Sequence, residues 1–194
     1  MNFTKGLFVA IEGASGVGKS SIIQNLKLRF NNKVIFTKEP TSDFELRNED
    51  IIFGNNLFKL LLDDRKNHIE RQILPSIKEG NIIISDRYVL SSLVFQRLDG
   101  LDLEYIWSKN EHFLVPNITI IITVDDNIRN QRLESRLSLS RLKKSEIRVK
   151  EIQYTEEASE FLKSKGWNVV WIENTKQISQ VTDDIYEIIM SLKS

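Results

Sequence analysis

The stretch GASGVGKS, residues 13–20, follows the apolar run LFVAIE and precedes SIIQNLKLRF. It fits G-x-x-x-x-G-K-[ST], in which glycines let the backbone curl so that its N–H groups point inward around phosphate. Gly13, Gly16 and Gly18 supply that freedom, and the helix expected after Gly18 adds the positive end of its dipole. The pattern makes Gly13, Ala14, Ser15, Gly16, Val17, Gly18, Lys19, Ser20 and Ser21 the candidate ATP-binding loop. Lys19 would reach the β- and γ-phosphates, and the Ser20 hydroxyl would ligate Mg²⁺.

Outward from this loop, short apolar runs alternate with segments of helical period. Leu7 to Ile11 reads as a buried strand, and Ile22, Ile23, Leu26 and Phe30 recur at helical spacing behind the loop. VIF (34–36) is a second strand, closed by Glu39-Pro40. Residues 57 to 79 read as one long helix, with Leu57, Leu61, Ile69, Ile73 and Ile77 on a face, and Pro75 kinks it or ends a turn of it. NIIIS (81–85), NITIIITV (117–124) and WNVVWI (167–172) complete five strands. The two runs at 81 and 117 lack polar alternation, as strands covered on both faces do. Helices are expected at about 89–97, 102–112, 126–136, 145–164 and 177–192. This alternation predicts an α/β fold, a doubly wound parallel sheet flanked by helices, in one domain over 1–194. Its ligand crevice is expected at the carboxyl ends of the strands.

Composition narrows the partners. The 194 residues are 41% hydrophobic and 28% charged, the proportions of an ordinary globular chain. Basic and acidic residues balance at 27 each, which gives no support for a nucleic-acid or anionic-membrane partner. Without cysteine there is neither a disulfide framework nor a thiolate metal site. With no secretory pattern and no long apolar window, the expected location is the cytoplasm.

A carboxylate for the metal should end a neighbouring strand, and IIISDRY supplies Asp86. A guanine-reading Asn-Lys-x-Asp follows neither residue 124 nor residue 172; SKNE (108–111) follows a helical segment instead. A kinase for a small acceptor needs cations around the second substrate, and the chain offers Arg65, Arg87 and an arginine-rich segment from 129 to 148. His68 reads as a helix-surface or packing residue, His112 has no partners at metal spacing, and the three tryptophans read as packing residues.

Taken together, FVAIEGASGVGKSS, FTKEP, LLLDDRKNHIERQILPSIKEGNIIISDRYVLSSLVFQ and PNITIIITVD resemble the thymidylate kinases, within the P-loop nucleoside monophosphate kinases. The specific part is the spacing from DDRKNHI through SDRYVLSSLVFQ. The resemblance implies phosphoryl transfer from Mg·ATP to a deoxynucleoside monophosphate, a homodimer, and a small helical lid at about 134–146. It gives Ser20 and Asp86 to the metal and Lys19 to the donor phosphates. Arg87 would bridge toward the acceptor phosphate, near which Lys38, Glu39 and Pro40 form a loop. Arg65 would reach the carbonyl edge of the base, and Ser92 and Gln96 would face its ring. Because Gly16 carries no side chain, the catalytic arginines are sought in the lid, as Arg132, Arg136 and Arg141. The family places an adenine-contacting loop near Glu173, Asn174 and Thr175.

Several positions depart from the family pattern, all on the acceptor side. Ser15 stands where a carboxylate is usual, Leu61 replaces an aromatic that stacks on thymine, and Phe95 replaces a tyrosine. The double glycine after Glu-Pro is also missing. Stacking on a base is worth about 1–3 kcal/mol, so its loss weakens the grip or widens base choice. Two other functions stay open on the residues: a deoxynucleoside kinase, whose Glu would act as base on a sugar hydroxyl, and a non-catalytic nucleotide-binding module.

Overall fold

The computed structural model describes residues 6–31, 34–44, 54–135, 145–175 and 177–193. Five strands, β1 (Leu7–Glu12), β2 (Val34–Lys38), β3 (Ile82–Asp86), β4 (Ile118–Thr123) and β5 (Val169–Glu173), form one sheet in the order β2-β3-β1-β4-β5. All four pairings are parallel, and β1 is central, with Leu7 opposite Ile82 and Val9 opposite Ile118. The expected doubly wound parallel sheet is the observed one.

The period-2 alternation of β1 explains the two cores. Leu7, Val9 and Ile11 face one layer, with Ile22 and Leu26 of α1 (Lys19–Arg29) and Val181, Ile185 and Ile189 of α8 (Ile178–Ser191). Phe8 and Ala10 face the other, which holds α4 (Val89–Leu98), α5 (Leu103–Asn110) and α7 (Ser145–Ser164). Every residue of β1 is buried, so apolar side chains are needed on both faces. Glu12 continues the even-numbered face and lies wholly inside the protein.

The expected long helix is divided. It runs as α2 (Gly54–His68), a π-helical turn (Ile69–Ile73) and α3 (Leu74–Lys78). Leu74 N–H donates to the Ile69 carbonyl, the longer register of a π turn, directly before Pro75, which has no N–H to give. The proline is thus preceded by a widened turn, where the sequence predicts a kink or the end of a turn. β2 and β3 extend as far as Lys38 and Asp86, bringing both to the carboxyl edge of the sheet. Trp107 and Trp167 are buried as expected, whereas Trp171, on edge strand β5, is 37% exposed and bonds Ser159. Among the described residues no helix is long and apolar enough to cross a membrane.

Candidate active site

The loop 13–20 leaves the carboxyl end of β1, the central strand, where the neighbours β3 and β4 continue the sheet in opposite directions. This is the crevice position of an open α/β sheet. Gly16 and Gly18 have φ of +88° and +100°, and α1 begins at Lys19. Lys19 is buried and folds back on its own loop, donating to the carbonyls of Gly13 (2.6 Å) and Ala14 (3.1 Å). Burial, and then the nearby Arg87 guanidinium, push its ammonium down to about 7. Ser20 and Ser21 are exposed in the first turn of α1.

Beside this loop stands α6 (Asp126–Glu134), capped by Asp125, which accepts from Asn127 N–H at 2.9 Å. It carries Arg132, whose Nη1 lies 3.4 Å from the Gly16 carbonyl and 3.3 Å from that of Val17. Arg136 and Arg141, with most of the expected lid, lie outside the described residues. Asn174, after β5, donates to the Val17 carbonyl at 2.8 Å.

Asp86 ends β3, and its Oδ1 is buried without a hydrogen-bond partner among the described residues. An orphaned carboxylate oxygen near a phosphate loop suits a hard divalent cation, which takes oxygen ligands. No group of three or more His, Cys, Asp or Glu with metal-holding geometry occurs among the described residues, so any cation here relies on few protein ligands. Mg²⁺ characteristically does so, keeping waters and substrate phosphates as its other ligands.

The second substrate's candidate residues meet in one cavity of about 600 Å³. Glu39, Pro40, Leu61, Arg65, Arg87, Ser92, Phe95 and Gln96 all line it. Arg65 is its most constrained member. Nε donates to Glu39 Oε2 (2.8 Å), Nη2 to Ser92 Oγ (3.1 Å) and Nη1 to Asn110 Oδ1, and the guanidinium lies 5.1 Å from the Tyr88 ring. Of the two readings of His68, helix surface or packing, packing is the observed one: it is 3% exposed, bridging Glu39 Oε1 (3.0 Å) and Thr37 Oγ1 (2.8 Å). Gln96 is 4% exposed, and its Oε1 has no partner among the described residues, leaving an acceptor for a bound molecule.

Arg87 joins the two halves. Its φ is +74°, a left-handed conformation that a side chain rarely adopts and that costs about 1–3 kcal/mol. Both its peptide groups are held: N–H donates to the Ile11 carbonyl (2.9 Å), and the carbonyl accepts from Ser85 Oγ (2.7 Å). Its Nη1 donates to Ser91 Oγ at 3.0 Å, and its guanidinium lies 4.9 Å from the Phe95 ring. Ser91 Oγ in turn donates to Glu12 Oε2 at 2.6 Å, while Glu12 Oε1 accepts from Tyr88 N–H (2.7 Å) and Ser91 N–H (3.2 Å). Glu12 thereby caps α4 from the neighbouring strand. Burial raises its carboxyl above the usual carboxylate range, opposed by these donors and by Arg87.

The sequence model of the thymidylate kinase family matches residues 11–185, a span that includes the loop, the cavity and α6. The chain belongs to the thymidylate kinase family. It is 32% identical over 191 residues to a probable thymidylate kinase of Pyrobaculum aerophilum, covering 94% of this chain and 95% of that one. Against a thymidylate kinase of Brachyspira hyodysenteriae it is 34% identical over 144 residues, covering 68% and 70%. The crystal structure of thymidylate kinase from Ehrlichia chaffeensis shares its fold, with a TM-score of 0.66 at 21% identity over 95% of this chain and 99% of that one.

For a thymidylate kinase family member, the residues that sequence reasoning missed are the buried supports. Glu12 is visible only as a charge at the end of an apolar strand. Asn110 and Ser91 carry no signal at all, since their role comes from packing α5 and α4 against Arg65 and Arg87. Arg129 and Glu151 are both buried against Ser15, whereas in the sequence Arg129 only opens the arginine-rich segment and Glu151 reads as an ordinary charged helix position.

Proposed function

We propose that this protein transfers the γ-phosphoryl group of ATP to the phosphate of dTMP, giving ADP and dTDP. The observation that carries this reading is a single cavity lined by Arg65, Ser92 and Gln96 that also reaches Arg87, whose N–H is held by the Ile11 carbonyl at the end of β1, where the phosphate loop begins. A base would meet Arg65 and the free Gln96 oxygen at one end, and its 5′-phosphate would meet Arg87 at the other. Lys38, exposed at the end of β2 and followed by Glu39-Pro40, adds a cation on the same edge.

An acceptor phosphate needs no general base, because its second pKa is about 6 and it is ionised at neutral pH. One of its oxygens forms the new bond to the γ-phosphorus as the bond to the β–γ bridging oxygen breaks, and ADP leaves. The protein supplies alignment and positive charge. In this reading Lys19 exchanges the carbonyls of Gly13 and Ala14 for donor phosphate oxygens. Arg87, Arg132 and the lid arginines Arg136 and Arg141 neutralise the transferring group. Ser20 and Asp86 would hold Mg²⁺, which adds charge neutralisation at the donor phosphates. Leu61 and Phe95 in place of a stacking aromatic and a hydroxyl support a base choice wider than thymine.

A deoxynucleoside kinase would use Glu39 as base toward a sugar hydroxyl. Its carboxylate is already engaged by both Arg65 and His68, which favours a structural role instead. The protein would act as a cytoplasmic homodimer without a nucleic-acid partner. Sedimentation at twice the monomer mass tests the dimer. For the reaction itself, chromatography should find dTDP and ADP formed in equal amounts from dTMP and Mg·ATP. Absence of dTDP under those conditions would overturn the proposal.

A further inference from the structure

Two buried charges touch the phosphate loop without belonging to the transfer chemistry described above. Arg129 of α6 is 2% exposed and Glu151 of α7 is fully buried. They pair, Arg129 Nη2 donating to Glu151 Oε2. Each also binds the same loop residue: Ser15 N–H donates to Glu151 Oε1 at 2.8 Å, and Arg129 Nε donates to the Ser15 carbonyl at 2.9 Å. Arg129 Nη1 reaches the Arg148 carbonyl on α7 at 3.3 Å. One ion pair therefore holds the peptide groups on both sides of Ser15.

A loop that turns its N–H groups toward an anion must keep its carbonyls turned elsewhere. Here every carbonyl from Gly13 to Val17 accepts from a side chain. Lys19 serves Gly13 and Ala14, Arg129 serves Ser15, Arg132 serves Gly16 and Val17, and Asn174 adds to Val17. The Arg132 contacts are long and so weak. Lys19 must leave its carbonyls to bind phosphate. Arg129 is the donor locked on all sides, and α6 packs so closely that a Cβ on Gly16 would lie 2.9 Å from Leu133 Cγ and 3.2 Å from Arg129 Cγ.

Stability alone does not account for such a pair, since apolar replacements of a buried ion pair are often neutral or stabilising. We propose that Arg129 and Glu151 are positioning residues for the donor phosphates, fixing the Ser15 peptide so that the loop amides from Gly16 onward face the nucleotide. This deepens the reading of residues 13–20 as the donor site and rests on it. It also ties donor affinity to α6 and α7, the helices on either side of residues 135–144.

The test uses the full chain with Arg129→Met and Glu151→Leu combined, and separately with Arg129→Lys, which keeps the charge but offers one nitrogen in place of three. Calorimetry with Mg²⁺ and a non-hydrolysable ATP analogue reads the donor site, and dTMP alone reads the acceptor site. The double variant should melt with the wild type yet bind the analogue about ten- to a hundredfold more weakly, with dTMP affinity unchanged. Arg129→Lys should show the same selective loss, and it decides the matter if the double variant does not fold. Unchanged analogue affinity in the folded variants, or equal loss of both ligands, would overturn the proposal. A wild type that binds the analogue but makes no dTDP would sink the proposed reaction while leaving this test intact. A wild type that binds no analogue would overturn the donor-site reading and this proposal with it.

Discussion

Arg65 Nε donates to Glu39 Oε2 over 2.8 Å at the wall of the cavity, and their side chains are only 4% and 6% exposed. Glu39 shares its other oxygen with His68, so one carboxylate compensates two buried cationic or polar groups. Removing one partner of a buried pair costs about 3–5 kcal/mol, because the other charge is left uncompensated. Glu39→Ala should therefore lose about that much stability in denaturant unfolding. It should also raise KM for the acceptor, because Arg65 is no longer held toward Ser92. A variant as stable as the wild type would show that the contact is not what fixes Arg65.

The Lys19 ammonium, held down to about 7 by burial and then by Arg87, makes ATP binding depend on pH. Donor phosphates favour its charged form, so binding should take up a proton at pH 8, and affinity should fall as pH rises above about 7. Calorimetry in buffers of different ionisation enthalpy measures the uptake directly. The same shift has a sign for folding. Between about pH 7 and the ordinary lysine value the unfolded chain binds more protons, so this group's contribution to stability rises with pH across that window. It is lost as pH falls through 7. Lys19→Met should remove both effects and abolish transfer; proton uptake persisting in that variant would assign the titration to another group.

Gly13 has φ +135°, and a Cβ there would lie 2.3 Å from the Ile122 backbone carbonyl oxygen. A backbone atom cannot swing aside as a flexible side chain can. Gly13→Ala should destabilise the protein by at least about 2 kcal/mol from strain and crowding together. Thermal unfolding reads this, and a variant with unchanged Tm would mean that β1 and β4 separate there at no cost.

Leu61 lines the cavity where the family resemblance leads one to expect an aromatic ring. Leu61→Phe should lower KM for dTMP about five- to tenfold if the new ring stacks on the base, given about 1–3 kcal/mol per stacked base. Preference for thymine over other bases should sharpen at the same time. An unchanged KM would place the base elsewhere in the cavity.

Much of this was legible in the chain because the relevant signals are local. Short, β-branched apolar runs such as ITIIIT suit strands buried on both faces, and GASGVGKS demands a strand before it and a helix after it. Those two patterns are enough to fix a parallel α/β sheet with its crevice at the end of β1. The eight residues assigned to the second substrate do converge on one cavity. Less legible was whatever depends on distant pairing. His68 reads equally as a surface or a packing position, and only β2, bringing Thr37 and Glu39 against it, decides for packing. Ser15 looks like a missing charge until α6 and α7 close a buried ion pair over its peptide. The π turn before Pro75 also escaped, because apolar spacing does not report hydrogen-bond register.

Phosphoryl transfer to a nucleoside monophosphate is the reaction that separates a kinase of this family from a nucleoside kinase or a non-catalytic module. It is tested most directly by ADP release from Mg·ATP against a panel of nucleosides and nucleoside monophosphates at one concentration. Turnover is expected with dTMP, more weakly with other deoxynucleoside monophosphates, and not with nucleosides. Turnover with nucleosides alone, or no turnover with any acceptor while ATP still binds, would contradict it.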